Sequence, residues 1–432
     1  MANDSNKPIL TEAQINAVAE LYTSGNLDEA IAEIKSLNKD YPNVPLLFNI
    51  LGACYQAKGL LTDSAQMFET ATKIKPDYAE AHFNLGVVLK ASGKTKEAIE
   101  CYKKAIYLVP NYPAAHNNLG NMYKDLNQLD DAIKSYESAI AIKPDYAEAY
   151  FNLGNVYKKL KRIDSTIECF RNSIKLNPNY YQARNNLAVT LREINRLDES
   201  LKEYLHLIKL RPDDDLMPGY ILQIKKDLCI WDDFSEDLDK LINKINSGKK
   251  ASGPFSMLSF IDNPTIQKKT SEIFVDSITS SLSVKKKLDN KNHIKKKIHI
   301  GYFSADFHNH ATMHLIAELF ELHDKSLFEI NAFSFGPNKS DKFRQRAILA
   351  FDNFIDVRLK TDDEIVLLAQ KMNIDIAIDL KGFTQDCRPL IFAKGCAPIQ
   401  VNYLGYPGTM GAKFIDYIIA DKILIPKDKR QY

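Results

Sequence analysis

The sequence predicts an α-solenoid followed by an α/β Rossmann-like lobe, and three observations carry that prediction. Prolines stand at 42, 76, 110, 144, 178 and 212, a strict step of 34 residues. From Ile298 onward, short β-branched and aromatic runs alternate with apolar-periodic segments, the pattern of a parallel sheet with helices on both faces. The stretch from Ile298 to His314 places one aspartate and three histidines where a strand passes into a helix. In open α/β sheets, ligands bind just outside the carboxyl ends of the strands.

At 432 residues the chain has room for two or three domains with their own cores. With 57 basic and 55 acidic residues its net charge is +2, which gives no reason to expect nucleic acid or an anionic membrane as partner. Six cysteines (Cys54, Cys101, Cys169, Cys229, Cys387, Cys396) are scattered with no C-x-x-C spacing. That dispersal points to reduced thiols and a cytoplasmic setting. The N-terminus lacks the apolar core of a signal peptide, and no run approaches 18 apolar residues, so no membrane span is expected.

The first domain is placed at residues 11–214, about six repeats. Leu51, Leu85, Leu119, Leu153 and Leu187 keep the 34-residue step, as do Gly52, Gly86, Gly120 and Gly154, with Ala188 closing that row. Ala30, Ala98 and Ala132 form a small-residue row with Ser64, Thr166 and Ser200 as substitutes, and Phe68, Tyr102, Tyr136, Phe170 and Tyr204 form an aromatic one. This resembles the tetratricopeptide repeat, two helices per unit. Small positions let the paired helices approach, large rows fill the space between units, and the proline ends the second helix. Stacked units bury what one unit cannot, and the stack is expected to curl around a groove.

One row of the repeat carries a second reading. Asn16, Asn84, Asn118, Asn152 and Asn186 stand at one position, with Ile50 the exception. Asparagine is a mediocre helix former. The row serves either solvated or inter-helix hydrogen bonds or a ladder of amides along the groove that suits a peptide backbone, indifferent to its sequence.

Residues 215–297 are expected to be a helical junction and linker. Asp213-Asp214-Asp215 reads as a loop or helix-cap cluster. Trp231, the only tryptophan, reads as a core anchor between domains. Asn243 to Gly253 reads as a loop, Pro254 to Phe260 as a short apolar segment, and the residues to about Ser283 as a helix. The lysine-rich stretch from Lys285 to Lys297 reads as a solvated linker.

The last domain is placed at 298–432. Strands are predicted at 298–303, 328–335, 354–357, 374–380, 399–404 and 415–420, with helices beginning near 312, 341, 361 and 388. The loops after the strands hold Asp306, His308 and His310, then Lys381-Gly382-Phe383-Thr384, then Gly405-Tyr406-Pro407-Gly408-Thr409-Met410-Gly411, and all should lie at one sheet edge. The last loop is glycine-rich without being a P-loop. His310 and His314 are four apart, but no H-E-x-x-H and no third ligand is evident, so no metal site is expected. A histidine beside an aspartate at a strand end suits acid–base work or the orienting of a hydroxyl.

Three motifs together carry a resemblance: Gly-Tyr-Phe-Ser-Ala-Asp-Phe-His-Asn-His-Ala-Thr-Met-His, Ala-Pro-Ile-Gln-Val-Asn-Tyr-Leu-Gly-Tyr-Pro-Gly-Thr-Met-Gly-Ala, and Phe-Ile-Asp-Tyr-Ile-Ile-Ala-Asp. With the repeat arm and Cys-Ile-Trp-Asp-Asp-Phe, they resemble the first catalytic lobe of the protein O-linked N-acetylglucosamine transferases, in the style of the bacterial branch. The plant SPINDLY proteins, which transfer fucose, share the layout, so a protein O-fucosyltransferase is an alternative, as is a non-enzymatic peptide-binding scaffold. The resemblance implies half of a B-type glycosyltransferase fold and inverting, metal-independent transfer from UDP-N-acetylglucosamine to Ser/Thr of acceptor proteins held in the repeat groove, with no cofactor. By position it implies His310 and Asp306 as catalytic, and Thr312, Leu404, Gly405, Tyr406, Pro407 and Met257 around the sugar and acceptor. It assigns Asn84, Asn118, Asn152 and Asn186 to the acceptor peptide. A histidine found in some members three residues before the position of Met257 is Pro254 here, so that role does not carry over. The sequence stops at Tyr432, in the middle of such an enzyme; without the second lobe, which stabilises the leaving diphosphate, little turnover is expected.

Overall fold

The computed structural model describes residues 10–280, 282, 296–421 and 425. It divides into two compact units, Met1–Glu203 and Tyr204–Tyr432.

In the first unit every 34-residue repeat folds as two helices. They are α1 (Glu12–Thr23), α2 (Leu27–Asp40), α3 (Pro45–Ala57), α4 (Leu61–Ile74), α5 (Ala79–Ala91), α6 (Thr95–Leu108), α7 (Pro113–Asp125), α8 (Leu129–Ile142), α9 (Ala147–Lys159), α10 (Ile163–Leu176), α11 (Tyr181–Glu193) and α12 (Leu197–Leu210). The division between the units falls inside α12, earlier than residue 214. The glycine row exists because the aromatic row lies directly over it. A methyl group at Gly52, Gly86, Gly120 or Gly154 would stand 2.7–2.8 Å from the ring of Phe68, Tyr102, Tyr136 or Phe170. The polar substitutes in the small row are fully buried but satisfied: Ser64 Oγ donates to Gly52 O at 2.7 Å and Thr166 Oγ1 to Arg162 O at 2.8 Å. The proline row is pinned as well. His82 Nε2, His116 Nε2 and an Arg184 guanidinium nitrogen donate to the carbonyls of Pro76, Pro110 and Pro178 at 3.0–3.1 Å.

These contacts set an expectation for Gly120→Ala. The Tyr136 ring must move away from the helix and strain its 2.8 Å bond to Asn121 Oδ1. The expected cost is about 1–3 kcal/mol, read as a lowered denaturation midpoint. An unchanged midpoint would mean that the helix pair has room the structure does not show.

The second unit begins with α13 (Met217–Asp227), α14 (Phe234–Asn246), α15 (Pro254–Phe260) and α16 (Pro264–Thr279). Asp213-Asp214-Asp215 is a loop, with Asp213 and Asp215 paired to Lys249 and Lys250. Two junction expectations need correction, and a third, the apolar segment, is given its form. The expected loop from Asn243 begins at Ser247, because α14 keeps its apolar periodicity to Ile245, which is fully buried. The apolar segment at Pro254 is a helix, started by proline at its first position. Trp231 is no core anchor: it is 58% exposed in the loop before α14, its ring edge against Phe234. Most of the lysine-rich linker lies outside the described residues.

The lobe follows as β1 (Ile298–Ser304), α17 (Ala311–Glu321), β2 (Phe328–Ser334), α18 (Lys342–Ala350), β3 (Asn353–Asp356), α19 (Asp362–Lys371), β4 (Ile376–Asp379), α20 (Pro389–Ala393), β5 (Ile399–Tyr403) and β6 (Tyr417–Ile419). The six strands are parallel in the order β3-β2-β1-β4-β5-β6. Strand alternation splits the core into two layers. Ile300, Tyr302, Ile330, Ala332, Ile378 and Val401 pack under α17 and α18. Phe303, Phe333 and Ala377 pack under α19 and α20, with the Phe303 and Phe333 rings stacked 4.4 Å apart. Helices therefore cover both faces, and the carboxyl ends of β1, β4 and β5 lie side by side.

Candidate active site at the strand ends

The chain leaves β1 through a tight turn in which Ser304 Oγ accepts the Asp306 N–H at 2.9 Å. The turn is clamped by Gly336: a methyl group there would lie 1.7 Å from Ala305 O. This fixes Asp306, 7% exposed, at the sheet edge. Its Oδ2 accepts from Lys381 Nζ at 2.7 Å, and the lysine side chain is itself only 5% exposed. A buried ion pair is tolerated when each charge is met by the other.

His310 caps the N-terminus of α17. Its Nδ1 accepts the Thr312 N–H at 3.2 Å and lies 3.1 Å from Thr312 Oγ1 and 3.6 Å from Asp306 Oδ2. A ring nitrogen that accepts a backbone N–H carries no proton, so the neutral imidazole holds its proton on Nε2. The side chain is 42% exposed, and Nε2 has no partner among the described residues. Toward a ligand, neutral His310 therefore presents an N–H donor rather than a lone pair.

The Lys381 loop is shaped by Asp379 at the end of β4. Its carboxylate accepts the Lys381 N–H at 2.8 Å and the Gly382 N–H at 3.1 Å. Burial pushes this carboxyl up to about 6 from 3.8, against the opposing pull of those N–H groups, the neighbouring Asn402 amide and Lys381. The folded state thus holds the Asp379 proton more tightly than the unfolded chain does. This contribution to stability is full below about pH 4 and is lost as pH rises through about 6. In Asp379→Asn, unfolding midpoints followed from pH 4 to 7 should lack that decline. Parallel wild-type and variant curves would remove Asp379 as its source.

Two glycines stitch the Lys381 loop to the loop after β5. A methyl group on Gly405 would lie 1.8 Å from Leu380 O, and one on Gly382 would lie 2.3 Å from Tyr406 Cβ. Leu404, at φ +67°, and Pro407 remain exposed on this loop.

The structure brings together Asp306, His310 and Thr312, and joins the Leu404–Pro407 loop to Lys381. Thr312 is buried and holds His310 rather than lining a surface. Tyr406 is 3% exposed, packed against Phe383, and burial pushes its hydroxyl up to about 12. Met257 is fully buried with Leu222, Leu241 and Phe260 in the junction core and offers no surface. The other two histidines of the stretch have partners of their own, although the His308 ring lies 5.8 Å from that of His310. His308 is buried, which holds its imidazole below the usual range, and His314 Nε2 lies 3.0 Å from Asn309 Oδ1. Among the described residues no three His, Cys, Asp or Glu side chains are grouped to hold a metal ion. A cavity of about 870 Å³ between α16, α20 and residues 411–416 contains none of the site residues.

Sequence reasoning missed Lys381 as a site residue. It was legible as a cation placed directly after an apolar strand, but its partner was not. The asparagine row is engaged between repeats. Asn84, Asn152 and Asn186 each donate an amide N–H to Asn49, Asn117 and Asn155 at 2.8–3.1 Å. Asn118 stands beside the buried Tyr102 hydroxyl.

Helical repeats followed by a parallel α/β lobe with its polar residues at the strand ends define the class: a repeat protein carrying a Rossmann-like lobe. Residues 228–432 match glycosyl transferase family 41. Residues 88–127, 120–161, 147–180 and 169–202 match tetratricopeptide repeats. The chain is 38% identical over 131 residues to the probable UDP-N-acetylglucosamine–peptide N-acetylglucosaminyltransferase SEC of Arabidopsis thaliana, which is 30% of this chain and 13% of that protein. It is 29% identical over 146 residues to the similarly named SPINDLY of the same plant, 33% of this chain and 16% of that protein. The matches thus span less than a fifth of these relatives. Among solved structures, an O-GlcNAc transferase of Thermobaculum terrenum is similar at 20% identity and TM-score 0.48, over 74% of this chain and 55% of that one. No helix among the described residues is long and apolar enough to cross a membrane.

Proposed function

We propose that this chain serves the transfer of N-acetylglucosamine from UDP-N-acetylglucosamine to serine or threonine hydroxyls of proteins bound by the repeat arm, in the cytoplasm and without a metal ion. The observation that carries the reading is the convergence of His310, Asp306 and Lys381 with the Gly405 loop at the carboxyl ends of the strands of a family 41 lobe. In this reading the exposed Nε2–H of His310 hydrogen-bonds an oxygen of the reacting groups, and Asp306, paired with Lys381, sets the field around it. Leu404 and Pro407 offer apolar surface to sugar and acceptor. Asn84, Asn118 and Asn186 are partly exposed and offer amide groups to a peptide backbone, whereas Asn152 is buried.

The test uses protein purified from its source cells, radiolabelled UDP-N-acetylglucosamine and a lysate of acceptor proteins, with nucleotide-linked fucose as competing donor. Label on serine or threonine supports the proposal; label from fucose alone overturns the donor, and no label from either overturns the activity. If His310 donates, His310→Ala should lower transfer about 10²–10³-fold, and His310→Asn, which keeps an N–H donor, should retain more. Equal loss in both would assign a base role instead. Alanine at Asn84, Asn118, Asn152 and Asn186 together should weaken acceptor peptides of unrelated sequence alike. Unchanged peptide affinity would leave the row with its inter-repeat bonds alone.

A further inference from the structure

Four groups meet at the head of α17: the Lys381 ammonium, the Asp306 carboxylate, the His310 imidazole and the Thr312 N–H. Asp306 Oδ2 is within 2.7 Å of Lys381 Nζ and 3.6 Å of His310 Nδ1. Two arrangements of protons compete here. In one, Nδ1 carries a proton and turns it to the carboxylate, as in a histidine–aspartate pair. In the other, Nδ1 is bare and accepts the helix-capping N–H of Thr312. A free carboxylate favours the first, because it stabilises an N–H or an imidazolium facing it. Lys381 removes that preference by neutralising the carboxylate from its buried side, and the positive end of α17 also opposes a cation at His310.

We propose that Lys381 is a positioning residue that, by occupying Asp306, keeps His310 in the tautomer with Nδ1 bare and Nε2–H free. It does not touch the reacting groups itself. Its action on catalysis rests on the function proposed above, since that reading makes His310 Nε2–H the group facing substrate. The tautomer does not rest on it.

The ordering of these groups follows from burial. Lys381 and Asp306 are both largely enclosed, so their pairing is strong and constant. His310 is the exposed member, so it is the one that adapts. His308 is the nearest other titratable ring, 5.8 Å away between centroids, and its Nδ1 is taken up with Asn309 O at 3.2 Å. Lys339 and Asp341 act on His308, and the buried Asp379 at the end of β4 is the further carboxyl that faces Lys381.

The experiment is ¹⁵N NMR of the histidine side chains in the 432-residue chain, titrated from pH 5 to 9, with His310 assigned by His310→Asn. The wild type should show the Nε2–H tautomer at high pH; an Nδ1–H signal there overturns the proposal without any variant. Lys381→Gln removes the charge and, one atom shorter, leaves a neutral amide donor on that side of the carboxylate, and a melting curve checks that the fold persists. It should move the imidazole toward Nδ1–H and raise its titration midpoint by about one pH unit. Adding Asp306→Asn to that variant should restore the wild-type spectrum. An unchanged His310 in Lys381→Gln, or a change that Asp306→Asn does not reverse, overturns the proposal. Because no sugar transfer is measured, failure here is distinct from failure of the transferase reading.

Discussion

Alanine at Gly405 is expected to be among the most damaging single changes in the second unit. Its methyl group would sit 1.8 Å from Leu380 O and 2.6 Å from the carbonyl carbon. Both are backbone atoms, so no rotamer change relieves the clash, and the two strand-end loops must part. Overpacking costs about 1–3 kcal/mol where side chains give way. With backbone on the far side we expect about 3 kcal/mol or more, a fall in melting temperature of roughly 6–12 °C for a unit of this size. Gly382 and Tyr406 would separate too, so transfer should fall beyond what stability explains. An unaltered melting temperature would mean that the loops are further apart in solution.

The second large effect is expected for Lys381→Met. Methionine fills similar space but strands a carboxylate that is only 9% exposed. Breaking a buried pair from one side costs about 3–5 kcal/mol, whereas replacing both partners is often nearly neutral. Lys381→Met with Asp306→Asn should therefore recover most of the loss, and the single Asp306→Asn should fall between. A denaturation series on the three variants gives the coupling directly. Additive losses would show that the two side chains are not paired.

The repeat register was legible because each row has one geometric job: glycine under an aromatic ring, a small residue between paired helices, proline at the end of the second helix. Strands and helices of the lobe were legible to within two or three residues because the β-branched runs are bounded by polar loops. Trp231 misled because a large aromatic residue usually marks a core, yet the loop that carries it turns outward between residues at positive φ, Cys229 and Asp233. The burial of Met257 and Tyr406 was not legible, because their positions match a family motif and the packing of a side chain is not a property of position.

Local periodicity and turn residues in the sequence determined the elements, and with them the placement of Asp306 and His310 at a strand end. Only the tertiary structure decided which groups meet them. Lys381 lies 75 residues from Asp306 in the chain. The sheet order puts β4 beside β1, with Asp379 opposite Phe303, while β2 and β3 are laid on the other side of β1. That crossover delivers the ammonium to the carboxylate. Periodicity reports which face a residue occupies, but not which strand becomes its neighbour, because the neighbour is chosen by how the two helical layers cover the sheet.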